Sequence, residues 1–336
     1  MYLIIGGNSF IGVYTANEFV KQGLEVAVTG RSDSMKAYYE KKGIPFYHLD
    51  LEKEEDFNNL PKEGVEGVVL LAALLPAVSD ADLKNDDNAA DYVKANTLGT
   101  LYTLEYCRKN NIKRVIAANS YFDVKNSLSL ENPLTEDEPR NFMFTGDHAA
   151  YVISKNAASD YMEYYNQQHG FKNAWFRLPP VYGVGPHGSL KINGKIVKSG
   201  LQIFMDKAEA GETIEIYGDG SLARDVVYVK DVAHAYYLGM MSDNTYGLYN
   251  IGSGRGTTLL EQAEVISELF KKDKKSEIVL RKDITNNGQS YVFNIEKAKR
   301  DFGYIPQYPT FEDMMKDYKE ELERGEMSAI FGNRLV

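Results

Sequence analysis

Tyr151 and Lys155 stand four residues apart in the stretch Tyr-Val-Ile-Ser-Lys. On a helix this spacing stacks both side chains on one face. A free tyrosine phenol titrates at about 10, and a neighbouring ammonium favours the phenolate and lowers that value. A phenol tuned this way can exchange a proton with a substrate hydroxyl or carbonyl. The lysine can also hydrogen-bond a cofactor ribose, so the pair suits hydride transfer between an alcohol carbon and a nicotinamide. The same spacing recurs at Tyr38/Lys42 and Tyr121/Lys125. The Tyr38 pair comes too early in the chain, and Tyr121 follows a strand in a loop, where the two need not share a face. A surface Tyr–Lys contact is the plain alternative for Tyr151.

A second stretch offers a place for the cofactor. Leu3-Ile4-Ile5 runs straight into Gly6-Gly7-Asn8-Ser9-Phe10-Ile11-Gly12. It reads as a buried parallel strand, a tight turn and a helix, the first half of a βαβ unit. Backbone N–H groups and the helix N-terminus there offer partial positive charge to a pyrophosphate. Gly6 would allow the turn, and Gly12 would let the helix lie close to the strand. The middle glycine of the usual fingerprint falls on Ser9, whose side chain can crowd the phosphates or hydrogen-bond them.

The 336 residues suffice for one large α/β domain or two unequal ones, and 43% are hydrophobic, enough for a sizeable core. A net charge of -10 argues against nucleic acid as a partner. Cys107 is the only cysteine, so an intramolecular disulfide is excluded and a packing role is expected. The five histidines are scattered, and no Cys/His cluster has metal-ligand spacing. Glycines interrupt any leader-like pattern at once and no apolar run reaches spanning length, so a soluble cytoplasmic protein is expected.

Strands are predicted at Leu24 to Val28, Pro45 to Leu49, Val68 to Ala73, Lys113 to Ala118 and Asn173 to Leu178. Helices alternate with them, at Met35 to Lys42, Asp91 to Asn110 and Ala149 to His169 among others. This alternation implies an α/β fold with a doubly wound parallel sheet. After Pro179 the character changes. Short strands at Thr213 to Tyr217 and Asp225 to Val229, with helices near Leu259 to Lys271 and Glu296 to Phe302, suggest a smaller C-terminal α/β lobe. A dinucleotide-binding domain of 1–178 plus about 225–252 is expected, with a substrate lobe of about 179–224 plus 253–336.

Taken with Asn96-Thr97-Leu98-Gly99-Thr100, Arg177-Leu178-Pro179-Pro180-Val181-Tyr182-Gly183, Tyr217-Gly218-Asp219-Gly220 and Arg224 to Val232, these motifs make the chain resemble the extended short-chain dehydrogenase/reductases. The likeness is to their nucleotide-sugar epimerase/dehydratase group and runs from Met1 to about Tyr308. It implies a Rossmann-like fold, an NAD or NADP cofactor and a nucleotide-sugar substrate. The cofactor residues it implies are Gly6, Ser9, Phe10, Ile11, Gly12, Arg31, Asp50, Leu51, Leu71, Ala72, Ala73, Asn96, Tyr151, Lys155 and Pro179. Asp50 would bond the adenine amino group, and Asn96 would brace the sheet near the site. Each has a plainer reading: Asp50 as a helix cap, the alanines as packing, Asn96 as an interior hydrogen-bonder. A homodimer through the helices Asp91 to Asn110 and Ala149 to His169 is also implied, burying Leu98, Leu101, Tyr102 and Leu104.

The departures from the pattern matter as much. The second strand ends in Gly30-Arg31-Ser32 instead of an acidic ribose-binding residue, which favours NADP, with Arg31 as partner to a 2′-phosphate. A solvated arginine is the alternative. The family's Ser/Thr that holds the reacting oxygen aligns on Tyr121, with Ser120 one residue earlier. Ser120 is taken as catalytic beside Tyr151 and Lys155, and Tyr121 as substrate-binding. Phe122 and Asp123 hold the places of a dehydratase acid–base pair, so 4,6-dehydration is disfavoured. A phosphate-binding asparagine is replaced by Pro180. Arg224 remains to clamp a diphosphate, unless it pairs with Asp219 or Asp225. Epimerisation of a sugar is the expected reaction, with net carbonyl reduction close behind and a non-catalytic sensor the remaining alternative.

Overall fold

The computed structural model describes residues 1–76, 88–146, 148–186, 188–192 and 195–331. The chain opens with β1 (Tyr2–Ile5), α1 (Phe10–Lys21), β2 (Val26–Gly30), α2 (Lys36–Lys41), β3 (Phe46–His48) and β4 (Gly67–Leu70). Then α3 (Ala89–Tyr92) passes through a π-helical turn, Val93–Leu98, into α4 (Gly99–Lys109). β5 (Val115–Ser120), a 3-10 stretch Tyr121–Ser127, α5 (Ala149–His169) and β6 (Ala174–Leu178) follow. The second half holds β7 (Val181–Tyr182), β8 (Ser189–Ile192), β9 (Lys195–Lys198), α6 (Gly200–Ala210), β10 (Ile214–Tyr217), β11 (Ala223–Asp225), β12 (Val227–Tyr228) and α7 (Val229–Met241). It ends with β13 (Gly247–Asn250), β14 (Gly256–Thr258), α8 (Leu259–Leu269), β15 (Ile278–Arg281), α9 (Glu296–Phe302), α10 (Phe311–Arg324) and α11 (Glu326–Phe331).

Seven strands form one sheet in the order β13-β6-β5-β4-β1-β2-β3, and every pairing in it is parallel. The strand order reverses between β1 and β4, and a crevice for a ligand opens outside the carboxyl ends at such a point. The sheet's two faces divide its side chains by strand period. Ile4, Val28, Val69, Ile116 and Phe176 pack with α1 and α7 residues such as Phe19 and Tyr236. Leu3, Ile5, Ala27, Val68, Leu70, Val115 and Ala117 pack on the other face with Leu104, Cys107, Met162 and Tyr165. Cys107 is a core packing residue, and burial raises its thiol pKa.

The expected strand over Asp225 to Val229 is instead two short pieces, and Val229 begins α7. α7 leads to β13, the sheet's seventh strand beside β6. Leu104 does not belong to an exposed face; it is fully buried in the sheet's own core. The small sheets β10-β15, β11-β14 and β12-β7 lie in the C-terminal half. Among the described residues, no helix is long and apolar enough to cross a membrane, and no group of three or more His, Cys, Asp or Glu is placed to hold a metal.

Candidate active site

The crevice is built from backbone first. Gly6 has φ +98°, and a Cβ there would lie 2.4 Å from the Ala72 nitrogen, so only glycine fits. The N–H groups of Leu71 and Ala72 both donate to Ile5 O, at 2.8 and 3.0 Å, which draws the end of β4 against the glycine turn. A Cβ on Gly12 would fall 2.2 Å from Gly6 O, so bare Gly12 lets α1 start directly beneath the loop. Ser9 is the N-cap of α1, its Oγ accepting from Gly12 N at 3.1 Å. The serine in the middle-glycine place thus turns toward the helix end. The Phe10 ring is buried beneath Gly183 and Gly185, where side chains would collide with it, while Ile11 is partly exposed. Gly6 and Gly12 thus hold β4, the turn and the start of α1 together, an arrangement that in such folds presents backbone N–H groups to a pyrophosphate.

The other expected cofactor residues follow the carboxyl ends of β2, β3, β4 and β6. Asp50 is partly exposed, and its Oδ1 accepts from Glu52 N at 3.2 Å in its own turn. Leu51 buries its side chain, and a Cβ on Gly99 would meet the Leu51 Cβ at 2.8 Å. Ala73 is partly exposed, Pro179 is buried after β6, and Arg31 is exposed beyond β2.

Ser120, the last residue of β5, and Tyr151, in the first turn of α5, come together closely enough for the serine hydroxyl to favour the Tyr151 phenolate. Ser120 Oγ also accepts from Phe122 N at 3.2 Å. Lys155 lies one turn further along α5, and all three residues are buried. Asn96, inside the π-helical turn, holds this helix in place. Its Oδ1 accepts from Leu74 N at 2.8 Å, and its Nδ2 donates to Leu74 O at 3.1 Å and to Ser154 Oγ at 3.1 Å. It therefore ties the segment after β4 to the turn between Tyr151 and Lys155. Single π turns often mark functional sites, and neither this one nor Ser154's role has a sequence signal.

The lysine-lowered phenol expected from spacing is not what the free protein holds. Burial pushes Tyr151 up to about 12, with the Ser120 hydroxyl opposing it. Burial also pushes Lys155 down to about 8. Desolvation disfavours both charged forms. The lysine shift has a consequence for stability. Between about 8 and the ordinary 10.5, the unfolded chain binds more protons at this residue than the folded one, so stability rises with pH across that window. In nucleotide-free protein, Lys155→Met should be more stable than wild type at pH 7.5 by about 3 kcal/mol at most, the gap narrowing by pH 10. Urea unfolding of both proteins at the two pH values reads this.

Tyr121 stacks on Tyr291 with centroids 5.3 Å apart. Arg224 Nε donates to Gln289 O at 3.3 Å. Among the described residues Arg224 has no carboxylate partner: Asp219 accepts from Ser221, and buried Asp225 accepts from Ser253, Gly254 and Phe293. Asp123 is buried in a bidentate pair with Arg177, Nε to Oδ1 at 3.1 Å and an Nη to Oδ2 at 2.8 Å. The sequence hint was an arginine inside the otherwise apolar strand Trp175 to Leu178, which demands a buried anion. Phe122 stacks face to face on His148, with centroids 4.3 Å apart.

This sheet order, with a glycine turn at the reversal point, defines a doubly wound dinucleotide-binding fold. The chain belongs to the NAD dependent epimerase/dehydratase family, whose model matches residues 2–252. A nicotinamide dinucleotide, NAD or NADP, is the cofactor typical of this family. The chain is similar to the Thermotoga maritima UDP-glucose 4-epimerase solved with UDP-glucose, at 26% identity and a TM-score of 0.75, covering 96% of this chain and 98% of that one. It is similar to the Thermus thermophilus UDP-glucose 4-epimerase solved with NAD, at 26% identity and a TM-score of 0.72, covering 97% and 99%. It is also 24% identical to the dTDP-4-dehydro-6-deoxyglucose reductase of Escherichia coli, over 90% of this chain and 92% of that protein.

Proposed function

We propose that the chain epimerises a nucleotide-linked sugar by transient oxidation of a ring hydroxyl and re-reduction of the resulting ketone from its other face. The observation that carries this reading is the buried Ser120–Tyr151 contact with Lys155 one turn away. Tyr151 Oη takes the hydroxyl proton and later returns it, and Ser120 Oγ holds the reacting oxygen. Lys155 reaches the cofactor ribose and, when protonated, favours the phenolate. When bound, the cofactor supplies the hydride acceptor and donor. Gly6 and Gly12 keep the turn and the start of α1 together, so that the loop can present its backbone to the pyrophosphate, and the choice between NAD and NADP turns on the residues at the end of β2. Arg224, without a carboxylate partner, is free to take a diphosphate bidentately. 4,6-Dehydration is disfavoured, because Phe122 has no proton to give and Asp123 is committed to Arg177.

Net reduction of a keto-sugar is the second reading. The likeness to a reductase and the loss of a phosphate-binding side chain at Pro180 favour it. The purified protein decides between them. Denaturing it and assaying the supernatant should release near one equivalent of nucleotide per chain if the redox cycle is closed. An empty protein would instead point to an exchanging cofactor and a net reductase.

A homodimer is part of this reading. Val93 and Leu98 near the start of the α3–α4 segment, and Ile153, Tyr161 and Tyr164 along α5, expose large apolar side chains. Sedimentation at micromolar concentration should give twice the chain mass, and a monomer mass would remove the dimer from the reading.

A further inference from the structure

β2 ends without the acidic residue that, in dinucleotide folds, accepts from the adenosine ribose 2′-hydroxyl. Its place is filled from another segment. A Cβ built on Gly30 would lie 2.3 Å from Asn8 Nδ2, 2.5 Å from its Cγ and 2.8 Å from its Oδ1. The Asn8 amide therefore stands where a side chain at position 30 would begin, and Gly30 is bare because Asn8 is there. The amide is also oriented. Nδ2 donates to Ser32 O at 2.7 Å, and a carbonyl can only accept, so the two ends of the amide are assigned. Oδ1 is left buried with no hydrogen-bond partner. The turn to which the amide is tied, Arg31 to Ser34, is exposed and can adjust to a ligand.

We infer that Asn8 replaces the missing strand-end carboxylate: its Oδ1 accepts from the adenosine 2′-hydroxyl and thereby selects NAD over NADP. A hydroxyl brings the donor that this oxygen lacks. A 2′-phosphate brings only acceptors at neutral pH, and it would meet a fixed acceptor, with the exposed Arg31 and the Ser32 and Ser34 hydroxyls of the adjoining turn able to donate. The inference rests on the dinucleotide reading above and goes beyond it in naming the residue that discriminates.

Calorimetric titration of the full, nucleotide-stripped chain with NAD and with NADP tests this. Wild type should bind NAD about tenfold tighter than NADP, the scale of one hydrogen bond lost plus an acceptor left unpaired. Asn8→Ala should weaken NAD about tenfold and change NADP little. Adding Gly30→Asp to Asn8→Ala restores the usual strand-end carboxylate in the space the amide vacates, and should recover NAD binding. This rescue separates a lost contact from a damaged fold. Equal affinity for the two nucleotides would overturn the inference, as would an Asn8→Ala protein that binds NAD as wild type does. So would a preference for NADP abolished by Arg31→Ala, which would leave the dinucleotide reading standing. Binding of neither nucleotide would overturn both.

Discussion

Tyr151→Phe should lower turnover about 10³-fold, the scale of a lost general acid–base group, while leaving dinucleotide affinity within about twofold. The substitution removes one hydroxyl and little volume. The Tyr151 ring packs edge to face on Tyr92, with centroids 6.0 Å apart, and phenylalanine keeps that contact. What goes is the only group at the Ser120 contact that can move a proton at the reacting oxygen. Ser120 has a hydroxyl, but its oxygen already accepts from Phe122 N. Ser120→Ala should therefore cost less, about 10- to 100-fold, because it loses orientation and not the proton path. The measurement is transient reduction of bound nucleotide after a nucleotide sugar is added, with nucleotide content determined on the same sample. Wild-type turnover in Tyr151→Phe would take Tyr151 out of the proton path, whereas a wild-type protein that binds nucleotide without any turnover would end the enzyme reading.

The sequence carried the backbone of this site better than its chemistry. Gly6 and Gly12 were readable because any side chain at Gly6 would run into Ala72 at 2.4 Å and any at Gly12 into Gly6 O at 2.2 Å. The Tyr151/Lys155 spacing was readable because helix geometry fixes it. The environment was not, since burial comes from distant segments, and here it drives the tyrosine and lysine away from their charged forms. The choice of Ser120 over Tyr121 ran against the ungapped alignment, which places the family's Ser/Thr on Tyr121. In the structure the strand end brings one to Tyr151 and turns the other onto Tyr291. Asn8 was invisible for a similar reason. Gly30 looks like a deletion of function until its neighbour 22 residues earlier is seen to occupy its side-chain space. Within the expected return of about 225–252, the individual elements α7 and β13 were not read, because the chain leaves after the Pro/Gly-rich stretch behind β6 and only then comes back to extend the sheet.

Asp123→Ala should destabilise the fold by about 3–5 kcal/mol, because it strands Arg177 as an unpaired charge in the sheet. Arg177 is 1% exposed, and its remaining partners are neutral: Asn250 Oδ1 at 3.2 Å and Thr135 O at 3.4 Å. Neither replaces a bidentate carboxylate. The pair also carries geometry to the site. Asp123 sits three residues after Ser120, so its bond to β6 fixes the start of the 3-10 stretch whose Phe122 N–H holds Ser120 Oγ. Loss of the pair should thus reduce turnover even where the protein remains folded. Replacing both partners, Asp123→Leu with Arg177→Met, should recover most of the stability, since no buried charge is then left over. Urea unfolding of the single and double variants measures the first effect. Turnover well below the unfolding transition measures the second. If the double variant is as stable as wild type but still slow, the buried pair serves chiefly to position Ser120. If it is both stable and fast, packing alone sets the end of β5, and the ion pair is a structural means of placing an arginine in an apolar strand.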